Sequence, residues 1–293
     1  MRILLIGKSG QLGGSLLRQN ESHEICAPER NELDIESRES CAGWIESFRP
    51  QFAINTTGFH DLQQCEAQPR RAFEVNSIAV ADLAALCERA NVQLLTFSTD
   101  YVFDGNKHKP YCEDDPTNPL QIYGVSKLAG ELAALRAAPR HASIIRTCGL
   151  YGLGGSRSRG GNFVTKRIAD AQRLGRLEVA CDQVVVPTFT DDLAKAIFEL
   201  IEAPAFAPDI YHLVNEGECS WHEFTVAICR AAGIDADVAP VERGSSSDGF
   251  QRPLYSVLDN ARARALGVTL PPWRDALERY VYDEIRTDGS KAP

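Results

Sequence analysis

RILLIGKSGQLG, residues 2–13, decides the fold: the apolar run Ile3, Leu4, Leu5, Ile6 stops at a glycine turn that opens an amphipathic segment. Gly7, Gly10 and Gly13 recur at every third position, directly after a strand and at the start of a helix, which is the context a dinucleotide-binding turn requires. One glycine makes the tight turn, another lets the backbone approach a pyrophosphate, and a third lets helix and strand pack closely. Free N–H groups at the helix N-terminus attract the anion. Gly7-Lys8-Ser9 looks like the end of a triphosphate-binding loop, but the upstream glycine such a loop needs falls at Arg2, so a nucleotide triphosphatase is disfavoured.

Outward from that turn, the first half alternates short β-branched runs with longer helical patterns, the mark of β-α-β units and a parallel sheet. Strands are expected at residues 2–6, 23–27, 52–55, 92–98 and 143–146, and helices at 11–18, 37–48, 72–90 and 122–135. Residues 111–119, with Glu113, Asp114 and Asp115, read as a polar excursion. After Tyr151 the texture changes at the Gly, Ser and Arg loop GLGGSRSRGGN. The boundary is placed there: a dinucleotide-binding domain over 1–152 and a substrate domain over 153–293. A helix at 191–202, capped by Thr190, is expected to pack back onto the first domain. Further helices are expected at 221–232 and 273–285. The fold class is α/β: a Rossmann-type doubly wound parallel sheet with a smaller α/β C-terminal domain.

The chain has 293 residues, 44% hydrophobic and 24% charged, which excludes disorder and fibre. A net charge of −9 argues against nucleic acid as a main partner. No apolar stretch has the length of a signal core or a membrane span, so a cytoplasmic protein without membrane partner is expected. The nine cysteines form no C-x-x-C pair and read as reduced core residues.

Residues at the end of the second strand read the adenosine ribose. Glu29 suits the hydroxyls of NAD, whereas Arg30 and Lys8 suit a 2′-phosphate; the balance of charge leans to NADP(H), with NAD(H) left open. Tyr123 and Lys127 in YGVSK lie one helical turn apart on one face. A ketone that accepts hydride also needs a proton, and a tyrosine beside an ammonium has its phenolate stabilised, so Tyr123 is a candidate general acid tuned by Lys127. Thr99, at the end of the strand in FSTDYVF, lies where ligands gather in a doubly wound sheet.

GKSGQLG, INTTG, STDYVFDG, YGVSKLAGE, RTCGLYG, DQVVVPT and YHLVNEG together resemble the extended short-chain dehydrogenase/reductases, and most closely the dTDP-4-dehydrorhamnose reductase family, over residues 1 to about 281. The resemblance implies a Rossmann domain and a small substrate domain. It implies reduction of the 4-keto group of a dTDP-linked 6-deoxysugar by NADPH or NADH, giving dTDP-L-rhamnose for cell-surface polysaccharides. It makes Thr99, Tyr123 and Lys127 the catalytic triad. The pyrophosphate would lie on Gly7, Lys8, Ser9, Gly10, Gln11, Leu12 and Gly13, adenine near Asp34 and Ile35, and the nicotinamide end near Thr56, Thr57 and Gly58. Asp100, Tyr101, Asn162 and Gln183 would face the sugar nucleotide, as would His60 and Leu62, and Arg252 would meet its diphosphate.

Two departures bear on the substrate. Gly149 stands in RTCGLYG where the family commonly has an aromatic residue that can cover the sugar, and the segment after His60 reads Leu62, Gln63, Gln64, Cys65, Glu66. Some family members bridge dimers through a metal at a Glu just past the glycine turn; Ser15 stands there, so no metal is expected, and the chain is read as a monomer or homodimer. Two other functions stay open at this level: an epimerase or dehydratase of the same superfamily, and a non-catalytic NADP-binding subunit like the regulatory subunit of methionine adenosyltransferase. Arg157 and Arg159 in the GSRSRGG loop read either as a cover for substrate phosphates or as a solvated connection.

Overall fold

The computed structural model describes residues 1–154, 160–247 and 249–282. In chain order the first half runs β1 (Arg2–Ile6), α1 (Gln11–Arg18), β2 (Glu24–Cys26), α2 (Arg38–Phe48), β3 (Phe52–Asn55), α3 (Leu62–Ala67), α4 (Pro69–Phe73), a π-turn (Glu74–Ile78), α5 (Ala79–Ala90), β4 (Gln93–Thr99), a 3-10 turn (Asp100–Val102), α6 (Ile122–Ala137), β5 (Ala142–Thr147) and β6 (Leu150–Tyr151). The second half runs α7 (Phe163–Leu174), β7 (Arg176–Ala180), β8 (Val184–Val185), β9 (Thr188–Phe189), α8 (Thr190–Glu202), β10 (Ile210–His212), β11 (Cys219–Ser220), α9 (Trp221–Ala232), β12 (Asp237–Val241), β13 (Ser246–Ser247), β14 (Phe250–Gln251), α10 (Ala261–Ala265) and α11 (Trp273–Tyr280).

Six strands form one sheet in the order β10-β5-β4-β3-β1-β2, every pairing parallel. Because successive side chains of a strand point to opposite faces, β1 serves two cores at once. Ile3 and Leu5 pack with α1 and α8, while Leu4 and Ile6 pack with α2, α5 and α6. The result is a helix–sheet–helix sandwich whose strands are apolar on both sides, as buried parallel strands must be. The chain steps from β1 outward to β2 and then returns across β1 to β3. That reversal opens the crevice between the carboxyl ends of β1 and β3.

The second half adds a helical cluster in which Tyr151, Phe224, Trp273 and Tyr280 are buried together, with β7 and β12 paired beside it. A further apolar cluster joins Val102, Phe103 and Cys148, from beyond β4 and β5, to Val185, Val186, Val257 and Leu258. It fixes the floor under the carboxyl ends of the sheet. Since β10 comes from residues past 200, a cut at residue 152 divides one sheet between two stretches of chain.

Several elements differ from the sequence expectation for identifiable reasons. Thr190 is the first residue of α8 and does not cap it; its hydroxyl instead accepts from Ser15 Oγ at 2.7 Å, tying α8 to α1. The excursion at 111–119 is less polar than it reads: Tyr111 and Glu113 are buried, and Glu113 accepts from the His212 backbone N–H. The helix expected over 72–90 is interrupted by the π-turn, because Asn76 turns inward to bond Phe59 and Ser126. Residues 283–285, in the last expected helix, lie outside the described residues, as do Arg157 and Arg159. Six cysteines are buried, and all nine are free thiols. Leu95, fully buried at the centre of β4, should report the integrity of the sandwich: Leu95→Ala should cost about 2–5 kcal/mol in a urea titration.

Candidate active site

Gly7 leaves β1 with φ +96°, and a Cβ on Gly13 would lie 2.3 Å from the Gly7 carbonyl oxygen, so no larger residue lets α1 approach the strand this closely. The α1 N-terminus carries no acidic residue in its first turn, and its cap residue, Gly10, offers no side-chain acceptor. Across the crevice, Thr56 donates its hydroxyl to the carbonyls of Ile6 and Gly7, at 3.0 and 3.1 Å. Thr57 is fixed by Asn55, whose Oδ1 accepts both its N–H and its hydroxyl. The structure thus brings residues 7–13 and 56–58 to the two lips of the switch point.

At the ribose-reading end, Lys8 and Glu29, opposed in the sequence argument, form an ion pair of 2.8 Å. Arg30 beside them is exposed and has no ion-pair partner among the described residues. Asp34 is exposed and accepts from the Glu36 N–H, whereas Ile35 is buried in the layer between the sheet and α2.

Thr99 ends β4 with its hydroxyl donating to Asp100 Oδ1 at 3.0 Å and accepting from the Tyr101 N–H. Helix α6 docks against this turn: a Cβ on Gly124 would fall 2.2 Å from the Tyr101 carbonyl oxygen, and the Tyr101 and Tyr123 rings meet edge-on at 6.3 Å. The first turn of α6 is held by two side chains, since Gln121 accepts from the Gly124 N–H and Glu66 accepts from the Ile122 N–H. Tyr123 is half-buried beside the end of β4. Lys127, one turn on, is 6% exposed, and its ammonium has no hydrogen-bond partner among the described residues. Burial pulls its pKa down to about 8, with Glu131 acting the other way. At neutral pH it therefore remains largely charged.

The residues expected to face the sugar separate into groups. Tyr101 stands at the site. Asp100 is 4% exposed and accepts from the Thr99 hydroxyl, and burial raises its pKa. His60 is half-buried with Nδ1 3.4 Å from the Gly58 carbonyl, and Leu62 begins α3. Asn162 is a helix cap: its Oδ1 accepts from the Thr165 N–H, and its amide donates to the Gly152 carbonyl and the Tyr280 hydroxyl. Both amide hydrogens are spent within the protein. Gln183 is buried and donates to the Gly244 carbonyl; Arg252 stacks its guanidinium 4.4 Å over Phe250. Gly149 has φ +58°, a left-handed conformation that an aromatic residue would adopt only with strain.

Sequence reasoning missed Gln121, Glu66, Asn76 and the pair of Glu131 with Arg146. Only Glu131 left a signal, because it continues the row of every fourth residue begun by Tyr123 and Lys127.

The pattern of the family described as "RmlD substrate binding domain" matches residues 1–286. A spore coat polysaccharide biosynthesis protein, SpsK, of Bacillus subtilis is 35% identical over 96% of this chain and 97% of its own length. A dTDP-4-dehydrorhamnose reductase of Streptomyces griseus is 36% identical over 94% of this chain and 91% of its own. Among solved structures, a dTDP-4-dehydrorhamnose reductase of Bacillus anthracis in complex with NADP superposes with a TM-score of 0.89 at 30% identity, covering 96% of this chain and 99% of that one.

The buried lysine gives a test that needs no ligand. Unfolded, it keeps its proton to about pH 10.4; folded, it releases the proton near 8. Between those values the unfolded chain binds more protons, so this residue makes the fold gain stability as pH rises. Relative to Lys127→Met, the wild type should gain on the order of 3 kcal/mol between about pH 7 and pH 10.5, read by urea unfolding. A difference independent of pH would show that the ammonium is solvated.

Proposed function

We propose, proceeding from the fact that this chain belongs to the RmlD substrate binding domain family, that it reduces the 4-keto group of dTDP-4-dehydrorhamnose with NADPH to give dTDP-L-rhamnose. The observation that carries the reading is that Tyr123 and the buried Lys127 share one face of α6, a helix docked through Gly124 and Tyr123 against Tyr101 in the turn that follows Thr99 at the carboxyl end of β4.

The residues present fit a nicotinamide dinucleotide on two counts. The glycine turn leaves room for backbone approach where a Cβ would collide, and Lys127 is a buried residue whose ammonium has no hydrogen-bond partner among the described residues. Residues 7–13 would hold the pyrophosphate, Arg30 and Lys8 the ribose phosphate, Asp34 and Ile35 the adenine end, and Thr56, Thr57 and Gly58 the nicotinamide end. When bound, NADPH supplies the hydride that converts the ketone to an alcohol. Lys127 holds its ammonium toward the nicotinamide ribose and favours the phenolate of Tyr123. Tyr123 delivers the proton to the ketone oxygen, and its acidity is raised by that same ammonium. The Thr99 hydroxyl, which here donates to Asp100 and accepts from the Tyr101 N–H, would turn its hydrogen to the same oxygen when the ketone is bound.

Asp100 has its carboxyl turned inward, which disfavours the acid–base carboxylate that a dehydratase needs. In this reading Tyr101, His60, Leu62 and Gln183 would meet the sugar nucleotide, and Arg252 its diphosphate. Asn162 serves this site through its cap, by anchoring the start of α7. In this reading the enzyme works in the cytoplasm as a monomer or homodimer. Separately, no helix among the described residues is long and apolar enough to cross a membrane.

Tyr123→Phe tests the assignment. With dTDP-4-dehydrorhamnose as substrate, it should lower kcat by about 100-fold or more while NADPH affinity stays within about twofold. Turnover close to wild type would remove Tyr123 from the chemistry.

A further inference from the structure

Behind the tyrosine and lysine of α6 lies a third ionisable residue on the same face. Lys127 and Glu131 lie among the buried residues of the helix, with Gly124, Ser126, Gly130 and Ala134, and Glu131 stands one turn beyond the lysine. Its carboxylate is 2% exposed and is gripped in a fork by Arg146: Nε lies 3.0 Å from Oε1 and Nη2 lies 2.7 Å from Oε2. Arg146 is itself 3% exposed. It is fixed by β5, whose neighbours pair it with Ser98 of β4 and His212 of β10, and its guanidinium lies 5.2 Å from the centre of the Phe103 ring.

We propose that Glu131, clamped by Arg146, is a positioning residue for the reduction: it supplies the counter-charge that keeps the buried Lys127 side chain an ammonium on the face it shares with Tyr123. The inference rests on the reductase reading of that face. Elements packed against α6 carry other ionisable groups: Glu66 on α3, Arg70 and Arg71 on α4, Glu74 on the π-turn, Asp82, Glu88 and Arg89 on α5, Asp100 and Tyr101 on the 3-10 turn, and Arg146 on β5. Glu131 differs from these in standing on α6 itself, one turn along the same buried face as Lys127, where its carboxylate raises the lysine's pKa against burial. An ammonium taken out of water without a counter-charge gives up its proton, and a neutral lysine neither stabilises a phenolate nor holds a ribose hydroxyl as strongly. Arg146 matters because a lone buried carboxylate would meet the same difficulty. The fork fixes Glu131 in its charged form and holds it in place one helical turn from the lysine.

A purely structural role for the pair is separable from this one. Replacing a buried ion pair by apolar residues of similar volume is often neutral for stability, whereas removing one partner is costly. The double variant Glu131→Leu/Arg146→Met should therefore fold, and Glu131→Gln serves as an isosteric second variant that keeps a hydrogen-bond acceptor for Arg146. In either folded variant, kcat should fall by at least about tenfold with the sugar KM little changed, and NADPH affinity, read by fluorescence titration without sugar, should weaken by at least about fivefold. Folded variants with wild-type kcat and NADPH affinity would overturn the proposal. So would loss of the fold in both, which would make the pair a structural requirement. The titration separates this failure from failure of the reductase reading: a wild-type protein that binds NADPH but leaves the sugar unreduced contradicts only the substrate assignment, and the affinities still decide the role of Glu131.

Discussion

An ammonium held out of water on the inner face of α6 is the constraint around which the rest of the site is arranged. Burial of Lys127 lowers its pKa, and Glu131, one turn along the same buried face, acts in the opposite direction. That carboxylate is buried in turn and requires the Arg146 fork, which reaches α6 from the centre of the sheet. The helix consequently lies close against the carboxyl ends of β4 and β5, and Gly124 is the residue that permits the contact with Tyr101. One turn before the lysine, Tyr123 meets the ring of Tyr101, two residues past Thr99. Its placement follows from charges and packing farther along the same helix.

The sheet order supplies the other half of the site. Reversal of the chain between β1 and β3 leaves their carboxyl ends open, and the glycine turn and Thr56 close around that opening. The tyrosine of α6 and the anion-attracting turn of α1 therefore both lie at the carboxyl-end side of the sheet. The apolar cluster of Val102, Phe103, Cys148, Val185, Val186 and Val257 joins this floor to the C-terminal half, from which Gln183 and Arg252 come.

Local signals made the first half legible. The hydrophobic run at residues 2–6, the glycine spacing and the one-turn interval of Tyr123 and Lys127 are written within a few residues of one another, and the structure reproduces β1, α1, β3 and α9 at the expected bounds. Features that depend on residues distant in the chain were not legible. Glu113 reads as solvated because its partner, the His212 N–H, is 99 positions away. Thr190 has the composition of a cap, yet its hydroxyl was claimed by Ser15, 175 positions earlier. Asn162 reads from the sequence as a substrate residue. Bonds to Thr165, Gly152 and Tyr280 occupy its amide, and only the first of these is local. Lys8 and Glu29 pointed to opposite cofactors when read singly, because their pairing across the turn is a tertiary contact.

Hydride destination is the most direct check on what this arrangement does. The enzyme would be supplied with NADPH deuterated at the transferable position and with dTDP-4-dehydrorhamnose, and the sugar product examined by NMR and mass spectrometry. One deuterium at C4 of a dTDP-rhamnose product, with one NADPH oxidised per sugar, is the expected result. A product without deuterium, or a sugar changed with no net oxidation of NADPH, would contradict the reductase and point to epimerisation or elimination on the same fold.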